Sequence, residues 1–343
     1  MASGEPLPMV DHVRLGGPPQ PLGGLVFAFR IHADGAPEEL SVDQSLDDRL
    51  GGWLWLHFNL ADTRACTFLK SLRELPPDAI DILVAPDHHQ QLHAEDNCVY
   101  GVIADLRRAL EGVSDHVGLL HFAMTERFLV SGRRHPLNAT QVTRDMLRGG
   151  HRPASVAALL ELIVEHAIDA IEHLSDDIAN QLDRIEERVV EAGTSDERRR
   201  LGVFRRTTVH LHRHLAGLRT LFQRLERNTP SSLPPNLRLE AGYLSQQLDA
   251  LDHEIVALRE RARVLQEEVT SQLAEETNRQ LRVLTTVTIL FLPPTVVAGF
   301  FGMNLKGLPF AHGEAGFWGG VLASVAASAA VYALLRWLGI VRR

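Results

Sequence analysis

Cysteine is almost missing from this chain: Cys66 and Cys98 are the only two in 343 residues, and they form no CxxC pair. Neither a disulfide framework nor a thiolate zinc site is therefore indicated. Nucleophile-elbow, P-loop and HExxH patterns are also lacking, which argues against an enzyme and against ATP as the energy source. With a net charge of −8 and no clustered basic face, nucleic acid is not an expected partner. Residues 1–24 are rich in Gly and Pro and lack the apolar core of a signal peptide. They read as a flexible leader, and the long polar part behind them as cytoplasmic. Finally, charge is absent from two long apolar stretches, Val283–Phe301 and Gly316–Leu335.

Each stretch approaches the roughly 20 apolar residues that cross a bilayer as a helix. The expected hairpin has a first span over 283–303, a loop over 304–315, a second span over 316–338 and a basic tail over 339–343. Arg279 and Arg282 precede the first span, Arg336, Arg342 and Arg343 close the second, and the loop sets only Lys306 against Glu314. Basic flanks stay on the cytoplasmic side, so both termini are expected inside and the loop outside. Trp318 and Trp337 sit near the ends of the second span as interfacial anchors, and Gly316, Gly320, Ser324 and Ser328 form a small-residue stripe for packing on the first.

Upstream, residues 25–150 have a mixed α/β pattern. Leu25–Ile31, Trp53–Phe58, Val99–Ile103, Val117–Ala123 and Phe128–Val130 read as strands, and Ala61–Leu75 and Pro76–Val84 as short helices. Residues 151–282 are helical: Ala154–Ala192, then Ser195–Arg227 with Ser195 as N-cap, then a break at Thr229–Pro235. From Asn236 no proline appears before Pro293, so one helix of roughly 85 Å is expected to run into the first span. The fold class is an α+β cytoplasmic domain with long stalk helices plus two C-terminal transmembrane helices.

On that last helix Asn278, Leu281, Thr285, Thr288, Leu292 and Thr295 recur every three or four residues, the repeat of a packed seam. The threonines have two readings. Each can bond back to its own backbone, or the stripe can face water and offer hydroxyls to a hydrated ion. Asn304 caps the stripe at its outer end. Pro293 and Pro294 remove backbone donors mid-span and read as a structural bend. One two-span chain cannot enclose a conduit, so a pore requires several copies.

The run Gly299-Phe-Phe-Gly-Met-Asn304, closing the first of two C-terminal spans after a stalk helix, resembles the CorA family of divalent-cation channels and transporters. The continuation Leu305–Phe310 is more similar to its ZntB zinc-transporter branch, since magnesium channels tend to have an acidic residue where Phe310 stands. Trp53–Phe58 and Met124–Ser131 also resemble ZntB-type N-terminal domains. The resemblance implies a homopentameric funnel in the bacterial inner membrane. Its pore would be lined at Gly302, Met303, Asn304, Thr295, Leu292, Leu284 or Thr285, Leu281 and Asn278. It also implies Zn²⁺ as the transported ion, with inward, proton-coupled movement and no organic cofactor.

Histidine clusters supply further metal candidates: His88, His89 and His93 in an acidic loop-like stretch, and His210 and His214 one helical turn apart. Imidazole suits zinc, but neither cluster has third and fourth ligands near it in sequence, and solvated surface is the competing reading. Two rivals to zinc transport remain open: a Mg²⁺, Co²⁺ or Ni²⁺ channel, and a helical scaffold tethered by its hairpin.

Overall fold

The computed structural model describes residues 23–41, 51–86, 89–95, 97–109, 112–192, 195–303 and 314–337. These group into two compact units. One holds the residues up to Ile185 together with Arg200–Val264, and the other holds Glu186–Arg199 and the chain from Leu265 onward.

The first unit is built on a seven-stranded sheet: β1 (Leu25–Ile31), β2 (Pro37–Leu40), β3 (Trp53–Asn59), β4 (Gln91–Glu95), β5 (Cys98–Ala109), β6 (Gly112–Met124) and β7 (Phe128–Arg133), in the order β2-β1-β3-β7-β6-β5-β4. Only the central pair β3–β7 is parallel. Side chains alternate between two buried faces, as the period of a strand requires. Phe27, Phe29, Ile31 and Trp55 point to one face, and Ala28, Leu56 and Phe58 to the other. The first face is covered by α3 (Asn138–Arg148) and by parts of three long helices, α4 (Val156–Ala192), α5 (Ser195–Asn228) and α6 (Ala241–Gly302). The second is covered by α1 (Thr63–Lys70) and α2 (Pro77–Val84).

The five expected strands and the long helices are all present, with differences at their edges. The helix expected over Ala61–Leu75 is only α1: Asp62 caps it, its carboxylate accepting from the Arg64 amide at 2.9 Å, and it ends at Ser71. Ser195, expected as an N-cap, is the first helical residue of α5. The strands β2 and β4 and the helix α3 were not anticipated.

Burial in the central parallel pair leaves four side chains with polar groups, Trp55, His57, Ser131 and Arg133, that satisfy one another. Arg133 Nε donates to His57 Nε2 at 3.1 Å, so the imidazole proton lies on Nδ1, which donates to Ser131 Oγ at 2.8 Å. Trp55 Nε1 donates to the same oxygen at 2.9 Å, and the Ser131 hydroxyl donates to the Leu56 carbonyl at 3.5 Å. Burial, with the neighbouring charges of Arg133 and Arg144, holds His57 well below the usual imidazole range, in keeping with its neutral role here.

Candidate functional site

The second unit contains α6 beyond Leu265 and α7 (Glu314–Trp337). Both helices are long and apolar enough to cross a membrane, and their apolar stretches are almost wholly exposed within the single chain. Hydrophobic surface on that scale needs lipid or further copies to cover it.

The two faces of α6 differ. Thr286, Ile289, Leu290, Pro293, Pro294 and Val297 are half-buried. On α7 the less exposed positions include Gly320, Ser324, Ser328 and Leu335, so three members of the expected small-residue stripe are on the sheltered side. Gly316, the fourth, has no described side-chain environment. One contact fixes the pairing: Ser328 Oγ donates to the Leu290 carbonyl at 3.4 Å. That carbonyl is the one Pro294, four residues on and lacking an N–H, leaves without its helical donor. A neighbouring helix therefore restores what the proline removes, and α6 runs through Pro293 and Pro294 without interruption. Ser328 had been read only as a small residue; the signal for its second role was a proline four residues beyond a carbonyl. Ser328→Ala is expected to loosen the hairpin by about 1 kcal/mol, read as a lower unfolding midpoint of the full-length protein in detergent.

Thr288, Leu292 and Thr295 of the expected stripe occupy the side away from these half-buried residues, whereas residues 274–285 are exposed all round. Asn278, Leu281, Leu284, Thr285, Thr288, Leu292 and Thr295 are all exposed, as is Met303 at the end of α6. Within one chain, Thr288 Oγ1 donates to the Leu284 carbonyl at 2.9 Å and Thr295 Oγ1 to the Phe291 carbonyl at 2.8 Å. Both hydroxyls thus make the back-bond that one of the two readings anticipated. A back-bonding hydroxyl spends its proton on the helix and keeps its oxygen lone pairs outward, so it still presents an acceptor to a cation. Gly302 ends α6. Asn304 and the loop to residue 313 lie outside the described residues, as does His88.

The remaining histidine candidates are on the first unit and do not assemble a ligand set. His93 stacks on Tyr100 with ring centroids 5.3 Å apart, and His89 is exposed. His210 is exposed, while His214 is held by Gln90, whose Nε2 donates to the His214 carbonyl at 3.2 Å and lies 3.3 Å from Nδ1. Burial, then the charges of His210 and Arg213, push His214 below its ordinary range, surroundings unfavourable to a cation. His212, between them, pairs with Asp252 at 2.6 Å. Among the described residues no three His, Cys, Asp or Glu side chains are gathered as a bound metal requires.

Residues 51–337 match the family described as CorA-like Mg²⁺ transporter protein. The chain belongs to the CorA family. Members of the CorA family are membrane-embedded ion transporters rather than enzymes. A divalent cation transporter, CmaX of Pseudomonas aeruginosa, is 30% identical over 305 residues, covering 86% of this chain and 90% of that one. The zinc transport protein ZntB of Cronobacter sakazakii is 24% identical over 296 residues, covering 85% and 88%. The structure of full-length CmaX superposes with a TM-score of 0.74 at 24% identity, covering 95% of this chain and 99% of the other, and shows that the CorA-type fold extends through both units.

Proposed function

We propose that this protein moves divalent cations, zinc foremost, across the bacterial inner membrane through the axis of a homopentamer. In that assembly the uncovered face of α6 lines the conduit and α7 forms the outer ring against lipid. The observation that carries this reading is the sidedness of α6 from residue 286 onward: Thr288 and Thr295 lie on the side away from the half-buried Thr286, Ile289, Leu290, Pro293, Pro294 and Val297. Polar residues exposed on a lipid-embedded helix are costly, and copies arranged with those residues inward remove the cost. Gly302, Met303 and Asn304 form the outer mouth, and Leu281, Leu284 and Leu292 alternate with the polar rings as apolar constrictions. Both termini are cytoplasmic, on the side of Arg279, Arg282 and Arg336. An inside-negative potential favours inward movement of a divalent ion by about 4.6 kcal/mol per 100 mV.

A broader cation range is the second reading, favoured by the CmaX relative's description as a divalent cation transporter. One experiment addresses both. The full-length protein in liposomes with an inside-negative potential is expected to take up Zn²⁺, and competition by Mg²⁺, Co²⁺ and Ni²⁺, with and without a pH gradient, ranks the ions and tests proton coupling. Absence of uptake for every divalent ion would leave only the tethered scaffold.

A further inference from the structure

Asp105 on β5 is 1% exposed, on the sheet face that packs against the helices. Its Oδ2 accepts from the Ala139 amide in the first turn of α3 at 2.9 Å, while its Oδ1 is buried with no hydrogen-bond partner. Leu137, the N-cap of α3, makes no side-chain cap bond, so the sheet supplies the cap from a distance of 34 residues along the chain. The bonding continues. The Ala139 carbonyl accepts from Thr143 Oγ1 at 2.9 Å, and Thr143 Oγ1 lies 2.8 Å from Nδ1 of His166 on α4. Since the threonine proton is committed to Ala139, the imidazole must be the donor, with its proton on Nδ1. Asp105, Ala139, Thr143 and His166 therefore form one unbroken hydrogen-bonded line from the sheet through α3 to the first long helix.

We propose that a proton on Asp105 latches the first turn of α3 to the sheet and, through Thr143 and His166, the seating of α3 on α4; loss of that proton loosens the line. The physical reason is the orphaned oxygen. A neutral carboxyl keeps Oδ2 on the Ala139 amide and leaves one unpaired polar group, whereas an ionised one confines a full charge in an apolar site where one oxygen has no hydrogen-bond donor, the larger penalty. Charged side chains on the packed elements are engaged elsewhere: Arg107 donates to the Val117 carbonyl, Arg144 and Arg148 grip Glu39, and Asp145 accepts from Gln141. On β6, His121 donates to the Ile82 carbonyl of α2. Burial outweighs the pull of the Ala139 and Leu106 amides and pushes the Asp105 carboxyl up to about 7. His166 faces Asp169 on its own helix and His151 beyond α3; burial, the largest influence, holds it below its ordinary range, so near neutrality it stays an uncharged anchor. The sign follows from linkage. The folded site holds a proton that an opened site releases, so the latch is tightest at acid pH, weakens as pH rises from the ordinary carboxylate range towards the folded value, and is level above it.

Hydrogen–deuterium exchange of the full-length protein in detergent, normalised for intrinsic rates, tests this between about pH 5 and pH 9. Opening that releases one proton makes protection of the α3 peptide fall by up to about tenfold per pH unit below the folded value, then level off. Asp105→Asn is expected to flatten that dependence. Thr143→Val is expected to keep it in α3 and remove it from the α4 peptide around His166. A pH-independent α3 in the wild type, an equal slope in Asp105→Asn, or an α4 response unchanged in Thr143→Val would each overturn the proposal. The wild type and Thr143→Val decide the matter even where Asp105→Asn does not fold.

Discussion

Ser131→Ala is expected to destabilise the sheet domain by about 4 kcal/mol, the largest stability effect of any single atom deletion foreseen here. The hydroxyl oxygen is the sole acceptor for two buried donors, Trp55 Nε1 and His57 Nδ1, at 2.9 and 2.8 Å. Trp55, His57 and Ser131 are each fully buried, so water cannot replace the lost partner. Leaving a buried donor unpaired costs about 1–3 kcal/mol, and two are orphaned at once. His57 cannot escape by changing tautomer, because Arg133 Nε already donates to its other nitrogen. Chemical denaturation of the full-length protein, followed by circular dichroism so that the same signal serves every variant, measures the loss. A double-mutant cycle adds specificity: in a Trp55→Phe background only one donor is orphaned, so the serine deletion should cost visibly less. Equal cost in both backgrounds would mean that the Trp55 bond contributes nothing.

Asn304→Leu is expected to lower divalent-cation uptake by at least about tenfold without changing the stability of the sheet domain. Asn304 directly follows Met303 in the sequence, and in the proposed assembly each copy contributes one such amide to the outer mouth. A divalent ion holds its water tightly, and a narrow mouth must offer oxygen to that water as it passes. Leucine offers none. Losing even about 1.4 kcal/mol of interaction corresponds to a factor of ten, and several copies act on the same ion. Uptake assays in liposomes at matched protein density read the effect, and unfolding curves superimposable on the parent's establish that the fold is intact. Parent-like uptake in Asn304→Leu would remove the amide from the mechanism and favour a hairpin that serves only as a tether.

Much of this architecture is written in hydrophobic patterning. β1, β3, β5, β6 and β7 carry near-continuous apolar runs because both faces of their sheet are buried, and α6 and α7 carry uncharged runs long enough to cross a membrane. What escaped was polar for a physical reason. β2, Pro37–Leu40, and β4, Gln91–Glu95, are the two edge strands of the sheet, where exposed polar side chains break up any apolar run. α3 buries Asn138, Ala139, Thr140, Thr143 and Leu147, so its inner face reads as polar while being nearly solvent-free. Small and hydroxyl-bearing residues fit there because the helix is tied to its neighbours by hydrogen bonds rather than by bulk. The spacing of Asn278, Leu281, Thr285, Thr288, Leu292 and Thr295 picks out positions of α6 that are exposed within the single chain. The contact between Ser328 and Leu290 was not legible from spacing, since it joins residues 38 positions apart through a carbonyl that only the fold identifies as deprived. The histidine clusters show the converse: proximity in sequence suggested a ligand set, yet their partners are Gln90, Asp252 and Tyr100.

The central claim is that the open face of α6 meets water while α7 meets lipid, and cysteine accessibility tests it most directly. Cys66→Ser supplies the background, since Cys98 is buried with its thiol pushed up to about 12. Single cysteines replace Thr288 and Thr295 on α6, and Leu322 and Val325 on the exposed side of α7. A charged, membrane-impermeant thiol reagent is then applied to liposomes carrying out metal uptake. The account predicts modification and block of uptake at 288 and 295, with 322 and 325 untouched. Unreactive cysteines at 288 and 295, or reaction there that leaves uptake unchanged, would contradict it.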